Sequence, residues 1–331
     1  MMMLKVKSPG LYTTVQDLGR YGHQAEGFSP AGAMDYRAFM LANQLLGNDD
    51  NAPGLEMTFR GASFEVMQDT VIAAAGADMA LEIDGDAFSI GVPIPVFKGS
   101  LVEFGAAENG SRTYLAAAGG FRVDRVLGSA STHVRSGIGG YRGRTLQAGD
   151  VIRTGDMAAA PGPFRIAGIE EEEAVRVIPG QQYDRFNEEM REKLFGEGYT
   201  LTKDCDRMGY RLDGPVLEAD PDPGHDVLSE PTQLGSIQVP KGGKPIVLLN
   251  DRQTAGGYAR IGTVARVDIP KLVQKQPGDT VRFEEVSVEE ATALYREEME
   301  KIRDGGYLEI NNDFRSHVRP TAGKLARIME R

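Results

Sequence analysis

Two dense polar cassettes, far apart in the chain, gather the residue types that can do chemistry. The first is Thr13-Thr14-Val15-Gln16-Asp17-Leu18-Gly19-Arg20-Tyr21-Gly22. The second runs from Gly235-Ser236-Ile237-Gln238-Val239-Pro240 to Asp251-Arg252-Gln253-Thr254-Ala255-Gly256-Gly257-Tyr258. A glutamine amide offers one acceptor and two donors, the complement of a lactam or a urea. An arginine fork grips carboxylate or phosphoryl oxygens in a planar geometry that lysine does not reproduce. An aspartate orients such an arginine or takes a proton. Asp17, Arg20, Asp251 and Tyr258 are therefore the expected catalytic groups, and Gln16, Asp35, Arg211, Gln238, Arg252 and Gln253 the expected substrate-binding groups. Burying such groups without partners costs on the order of a few kcal/mol each. The cassettes are accordingly expected to form two walls of one solvated cleft, where Arg20→Ala and Asp251→Asn would abolish activity and leave the melting temperature nearly unchanged. The bland reading stands beside this one: each neighbouring Asp–Arg pair also suits an ion pair pinning a loop, Tyr258 also suits a core, and Gly256-Gly257 also suits a hairpin.

Other chemistry is poorly supported. The four histidines, His23, His133, His225 and His317, make no HxH or HxxxH pair and there is no CxxC, so zinc has no motif. Neither GxxxxGK[ST] nor GxGxxG occurs. The Gly-rich run 137–143, with Tyr141, Arg142 and the following Arg144, suits either an anion cradle or a simple turn, the turn being the plainer account. Cys205, the single cysteine, lies between Asp204 and Asp206, which disfavour a thiolate. One cysteine cannot make an internal disulfide, which fits a reducing cytoplasm. A net charge of −11 argues against nucleic acid and anionic membranes. The start MMMLKVKSPG carries no apolar stretch of the secretory kind.

The elements that must position the cassettes are mostly strands. Short apolar runs recur between Gly, Asp-Gly or Pro signals, as at 63–67, 70–75, 80–83, 93–97, 101–104, 113–117, 175–178, 245–249, 263–267 and 280–283. That rhythm predicts a barrel or sandwich. Helices are expected over 36–46, with Asp35 as N-cap and Gly47 as stop, over 184–194, and over 289–303. A boundary is expected within 155–172, where Gly155-Asp156 gives way to Ala158–Gly162, Pro163 and the acidic run 170–173. The halves end alike, in Gln147-Ala148-Gly149-Asp150-Val151 and Gln276-Pro277-Gly278-Asp279-Thr280, a hint of two related barrels.

The stretch 9–56, with TTVQDLGRYG, GAMD at 32–35 and NQLLGN at 43–48, resembles the opening of the biotin-dependent carboxyltransferase family, whose members include allophanate hydrolase subunit 2, the C subunit of bacterial 5-oxoprolinase and the KipA regulator. AAAGGF at 116–121, LGSAST at 127–132, RTLQAGD at 144–150, RMGYRLDG at 207–214 and SEPTQLGSIQVPKGGKPIVLLNDRQTAGGY at 229–258 carry the resemblance to about residue 285. It implies a mostly β fold of two cyclophilin-like β-barrel halves, 1–160 and 161–287, with a few short helices and a helical tail over 288–331. It implies a component of an ATP-dependent 5-oxoprolinase that works with a second, related chain of the B type, KipI-like, and with an A-type chain of the LamB/YcsF kind, ATP being bound with the partner. The alternatives it leaves open are a carboxyltransferase component acting on urea or another amide with biotin supplied in trans, and a KipA-like antagonist of a kinase inhibitor. No Met-Lys biotin-attachment dipeptide occurs, so covalent biotin is not expected on this chain. The free-standing length favours the 5-oxoprolinase reading, since urea carboxylases generally carry this region fused to other parts. One position departs from the family pattern: Gly128-Ser129-Ala130-Ser131-Thr132 has alanine where relatives usually have arginine, a lost cation for which Arg135 is the expected substitute.

Overall fold

Residues on a strand alternate between core and solvent when one face of the sheet is covered. The opening strand β1 (Met3–Ser8) does so, with Leu4 and Val6 inside. The computed structural model describes residues 3–156, 161–169 and 173–312. The chain divides into two compact units, one of Met1–Gly19, Asp35–Ile169 and Lys301–Arg331, the other of Arg20–Met34 and Glu170–Glu300.

In the first unit β1 is followed by β2 (Tyr12–Gln16), α1 (Tyr36–Gln44), β3 (Gly54–Thr58), β4 (Ser63–Val66), β5 (Thr70–Asp78), β6 (Leu81–Ile83), β7 (Asp86–Phe88), β8 (Pro93–Val96), β9 (Leu101–Phe104), β10 (Asn109–Ala117), β11 (Phe121–Arg122), β12 (Val151–Thr154) and β13 (Phe164–Ile166). They form a seven-stranded sheet, β11-β12-β1-β4-β9-β6-β7, and a five-stranded sheet, β2-β3-β10-β5-β8. Leu4, Val6, Phe64 and Val66 from the first meet Val15, Leu55, Met57 and Ile72 from the second in one core. The Asp35 carboxylate accepts the Ala38 N–H at 2.9 Å and starts α1, whose Phe39, Leu41 and Ala42 are buried. The helix ends at Gln44, slightly before the expected Leu46, because Leu45–Gly47 tighten into a turn with Gly47 at φ 64°.

The second unit contains β14 (Val175–Pro179), α2 (Glu188–Gly196), β15 (Gly198–Cys205), β16 (Gly209–Asp213), β17 (Asp226–Pro231), β18 (Ser236–Gln238), β19 (Ile246–Leu248), β20 (Ala255–Tyr258), β21 (Arg260–Val264), α3 (Ile269–Gln274), β22 (Thr280–Glu285) and all but the last turn of α4 (Val288–Arg303). Seven of these strands close a barrel in the order β14-β21-β18-β19-β16-β15-β22, with the parallel pair β14 and β22 completing the ring. β17 and β20 form a separate two-stranded ribbon. The mostly β expectation is correct, and besides the end of α1 two helices differ from what was expected. Asn187 accepts the Met190 N–H and caps α2, so the helix starts at Glu188 and Asp184 lies in a short 3-10 turn before it. α3 is six residues long with Pro270 in its first turn, too short for apolar periodicity to register.

The last described strand, β23 (Leu308–Ile310), pairs with β13 in the first unit, so the described part of the segment expected to be a helical tail is a helix followed by a strand. Residues 1–2, 157–160, 170–172 and 313–331, with them part of the expected boundary segment, His317 and Pro320, lie outside the described residues. Among the described residues no helix is long and apolar enough to cross a membrane.

A buried ion pair ties β14 to the start of α3. Asp268 is 1% exposed and accepts Arg176 Nη2 at 2.7 Å, Nε at 2.9 Å and the Arg176 backbone N–H at 2.7 Å. Burial alone would raise its pKa; the Arg176 hydrogen bonds and the charge of Lys271 outweigh burial and hold it below the ordinary carboxylate value. A depressed folded-state pKa stabilises fully above the unfolded value of about 4 and is lost as pH falls through the folded value. Asp268→Asn should therefore be less stable than the parent at pH 7, with the gap narrowing progressively below about pH 4. Urea titrations across that range check this; a gap that does not depend on pH would contradict it.

Candidate active site

The first cassette divides between the units: Gln16 and Asp17 belong to the first, Arg20 to the second. Asp17 leaves β2 fully buried, and its carboxylate is heavily used. Oδ1 accepts the Ser129 hydroxyl at 2.6 Å, the Ser131 hydroxyl at 2.5 Å and the Gly19 N–H at 2.9 Å. Oδ2 accepts the Ala130 N–H at 2.6 Å and Arg125 Nη1 at 3.3 Å. A carboxylate so engaged has few lone pairs left for a substrate proton. Its geometry is that of a clasp between β2 and the Gly128–Thr132 loop. This is where the unusual Ala130 sits, with its methyl buried and its N–H on Asp17, and a cation reaches the loop from Arg125.

Gln16 is likewise fully buried and donates Nε2 to Thr14 Oγ1 at 2.9 Å and to the Thr132 carbonyl at 3.1 Å. Asp35 is occupied as the α1 cap; its backbone N–H donates to the Tyr114 hydroxyl at 2.8 Å, and that hydroxyl donates to Glu56 at 2.8 Å. Burial, then the charges of Glu56 and Asp35, hold the Tyr114 phenol well above its usual pKa, so it stays a donor at neutral pH. The Gly-rich run 137–143 coils on itself. Gly143 N–H bonds to the Gly139 carbonyl at 2.8 Å, and at Gly140, φ 54°, a Cβ would stand 1.8 Å from Thr132 Oγ1.

The second cassette sits wholly in the second unit, together with Arg20–Met34. Asp251 forms a two-pronged pair with Arg207, Oδ2 accepting Nε at 3.0 Å and Oδ1 accepting Nη2 at 2.9 Å. Arg207 Nη2 also donates to the Gly32 carbonyl at 2.7 Å, and both residues are buried. Asn250 Nδ2 faces the carbonyls of Ala31, Gly32 and Ala33 at 3.2, 3.3 and 3.0 Å, and Ser29 Oγ donates to the Arg252 carbonyl at 2.5 Å. The segment after the first cassette is thus stitched to the turn at 250–252. Arg20 is fully buried and Asp251 nearly so, so the expected solvated setting does not describe either residue. Arg211 is exposed on β16, Gln253 is exposed, and Tyr258 is 42% exposed on the β17 and β20 ribbon.

A small set of buried polar atoms in the second cassette is left without a hydrogen-bond partner. Gln238 is 2% exposed; its Oε1 accepts Gln253 Nε2 at 3.5 Å and its Nε2 has no partner. Gly256 makes room for that amide, since a Cβ there would stand 2.5 Å from Nε2. Asn250 Oδ1 and Arg252 Nε are also buried without partners. Two donors and an acceptor, all from the second cassette, are left unanswered where native folds answer nearly all such groups.

The structure thus brings Gln238 and Gln253 together, joins Asp251 to a partner in another strand connection, and places Gln16, Asp17 and Asp35 in tight structural contacts of the first unit. Sequence reasoning does not single out Arg207, Asn250 or Ser29. Arg207 heads the RMGYRLDG motif, which is a signal, but its aspartate lies 44 positions away and adjacency points to Arg252 instead.

Comparison with known proteins supplies a family for this fold. A family profile described as the carboxyltransferase domain, subdomain A and B, matches residues 26–285. The C subunit of the Escherichia coli K12 5-oxoprolinase is 38% identical over 293 residues, covering 87% of this chain and 93% of that protein. The urea amidolyase of Saccharomyces cerevisiae is 31% identical over 315 residues, but the match takes in 88% of this chain and 17% of that protein. Among solved structures, the K. lactis urea amidolyase superposes with a TM-score of 0.84 at 28% identity, over 91% of this chain and 20% of that one. TTHA0988 does so with a TM-score of 0.77 at 35% identity, over 86% and 55%. With the profile spanning most of the chain and a relative matched nearly end to end, the chain belongs to the family of carboxyltransferase domains with subdomains A and B.

Proposed function

We propose that the chain is the C subunit of an ATP-dependent 5-oxoprolinase, which opens the lactam of 5-oxoproline to give glutamate. The observation that carries this reading is the match to the corresponding E. coli 5-oxoprolinase component, which covers 87% of this chain and 93% of that protein. The unsatisfied atoms of the second cassette support it. Gln238 Nε2 is a donor for a lactam carbonyl, Asn250 Oδ1 an acceptor for a lactam N–H, and Arg252 a fork for an acid.

A lactam resists water, and phosphoryl transfer to its oxygen is the chemistry ATP supplies. The coiled Gly-rich run does not suit a phosphate, because the N–H groups of Gly137, Ile138, Gly140 and Gly143 are already donated to backbone carbonyls. On this reading ATP is bound with the partner chains, of the B and A types, and this chain binds and orients the amide. Its place of action is the cytoplasm, where Cys205 stays reduced.

The carboxyltransferase alternative draws on the urea amidolyase relatives, at 31% identity over 88% of this chain. The match takes in only 17% of the length of the S. cerevisiae protein. The expected result for the 5-oxoprolinase reading is that the purified chain alone shows no 5-oxoproline-dependent ATP hydrolysis, whereas the complex co-expressed from its neighbouring genes does. Coupled phosphate release measures both. Robust turnover by the chain alone, or none by the complex, would contradict it.

A further inference from the structure

Among the described residues, Arg252 is a buried cation for which the fold provides no anion. It lies on the turn after β19, 6% exposed, with one Nη donating to the Leu249 carbonyl at 3.2 Å and Nε buried without a partner. The charged and titratable groups acting on it are the Tyr21 phenol and a second cation, Arg266. Burial first, then Arg266, push its pKa down to about 10. Other arginines of the same unit are treated differently: Arg207 holds Asp251, Arg176 holds Asp268, and Arg260 holds Glu230. Stripping water from a guanidinium without returning a negative charge is costly, and a fold that keeps such a group in place destabilises itself unless a ligand completes the pair. In the same cassette Gln238 Nε2 is also buried and unanswered. A planar fork with an idle Nε–H suits a carboxylate or a phosphoryl group. Of the two, the carboxylate is the group that the proposed lactam-acid substrate carries.

We propose that Arg252 is the receptor for the carboxylate of the amide substrate, and so the residue that selects a lactam acid over a neutral amide such as urea. The assignment rests on the 5-oxoprolinase reading above. It makes Arg252 a specificity residue that bears on substrate affinity, with its countercharge supplied only when substrate binds.

The test compares complexes containing the parent chain, Arg252→Met or Arg252→Lys, with the melting temperature of each free chain measured alongside. Arg252→Met should raise the KM for 5-oxoproline by about a hundredfold, the usual scale for removing one side of a buried charge pair, and leave the KM for ATP unchanged. Arg252→Lys, which keeps the charge and loses the fork, should fall between. 2-Pyrrolidone, the same lactam without the carboxylate, should inhibit parent and Arg252→Met complexes equally. The free Arg252→Met chain should melt higher than the parent, because an unpaired buried cation has been replaced by an apolar side chain of similar length. An unchanged KM for 5-oxoproline, a rise in the KM for ATP instead, or a lower melting temperature with activity lost only in step with folded protein would overturn the assignment. A parent complex that works beside an equally good Arg252→Met complex defeats this assignment alone; a parent complex that does not consume 5-oxoproline defeats the functional reading and this assignment with it.

Discussion

Replacing Asp17 by alanine should cost the first unit about 3–5 kcal/mol of stability, enough to compromise its folding at growth temperature. The size follows from what the carboxylate holds. Its two oxygens accept two serine hydroxyls and two backbone N–H groups, and Arg125 adds a guanidinium at the open side. The serine hydroxyls can turn to other partners, but the N–H groups of Ala130 and Gly19 cannot, and a buried N–H left without an acceptor costs about 1–3 kcal/mol. Asp17→Asn should fall short of the full loss, because it keeps one acceptor while setting an NH2 against donors. Arg125→Ala should cost less than about 1 kcal/mol, since that side chain is 45% exposed and screened by water. Urea unfolding of the three variants gives the order directly. An Asp17→Ala protein as stable as the parent but inactive would return this residue to the role of base that its sequence position suggests.

The second large effect is expected at the Arg207 and Asp251 pair. Removing either partner leaves the other charge buried and unanswered, at a cost of about 3–5 kcal/mol. Arg207→Ala also frees the Gly32 carbonyl from one of its donors. Removing both partners together should cost clearly less than the sum of the single losses, because no lone charge remains. A double-mutant cycle on Arg207→Ala, Asp251→Ala and the combination, followed by urea unfolding, measures that coupling. Additive losses would mean that the two side chains act independently despite contacts of 2.9 and 3.0 Å. This expectation replaces the one drawn from sequence, in which Asp251 lines a solvated wall and can be changed without consequence for melting.

The contrast shows what a single sequence conveys. Local signals are legible. Asp35 followed by Ala38, Leu41 and Ala42 marks α1 because capping and helical periodicity act within a dozen residues. The runs at 63–67 and 101–104 mark β4 and β9 because each is bounded by its own turns. The density of Gln, Asp and Arg in the cassettes marks them as places where polar groups must be satisfied. How they are satisfied is not legible, since it depends on partners far along the chain. Asp17 finds Ser129 and Ser131 more than a hundred positions away, and Asn250 finds the carbonyls of residues 31–33 more than two hundred away. Backbone acceptors of that kind leave no trace in side-chain identity. Nor can spacing reveal that the chain changes units after Gly19 and returns at Asp35, because that is set by partners far along the chain, as where Asn250 meets the carbonyls of residues 31–33. Arg252 is legible as an anion reader by type; that it is buried without a countercharge requires the fold.

We have proposed that this chain supplies the amide-binding part of a 5-oxoprolinase. The most direct test is glutamate formation from 5-oxoproline and ATP by the co-expressed complex, assayed with this chain present, omitted and restored, with urea plus bicarbonate and a biotinylated carrier as the competing substrate set. Glutamate is expected only when the chain is present, with recovery when it is restored and no turnover of urea. Full glutamate formation without the chain, or turnover of urea in place of 5-oxoproline, would contradict it.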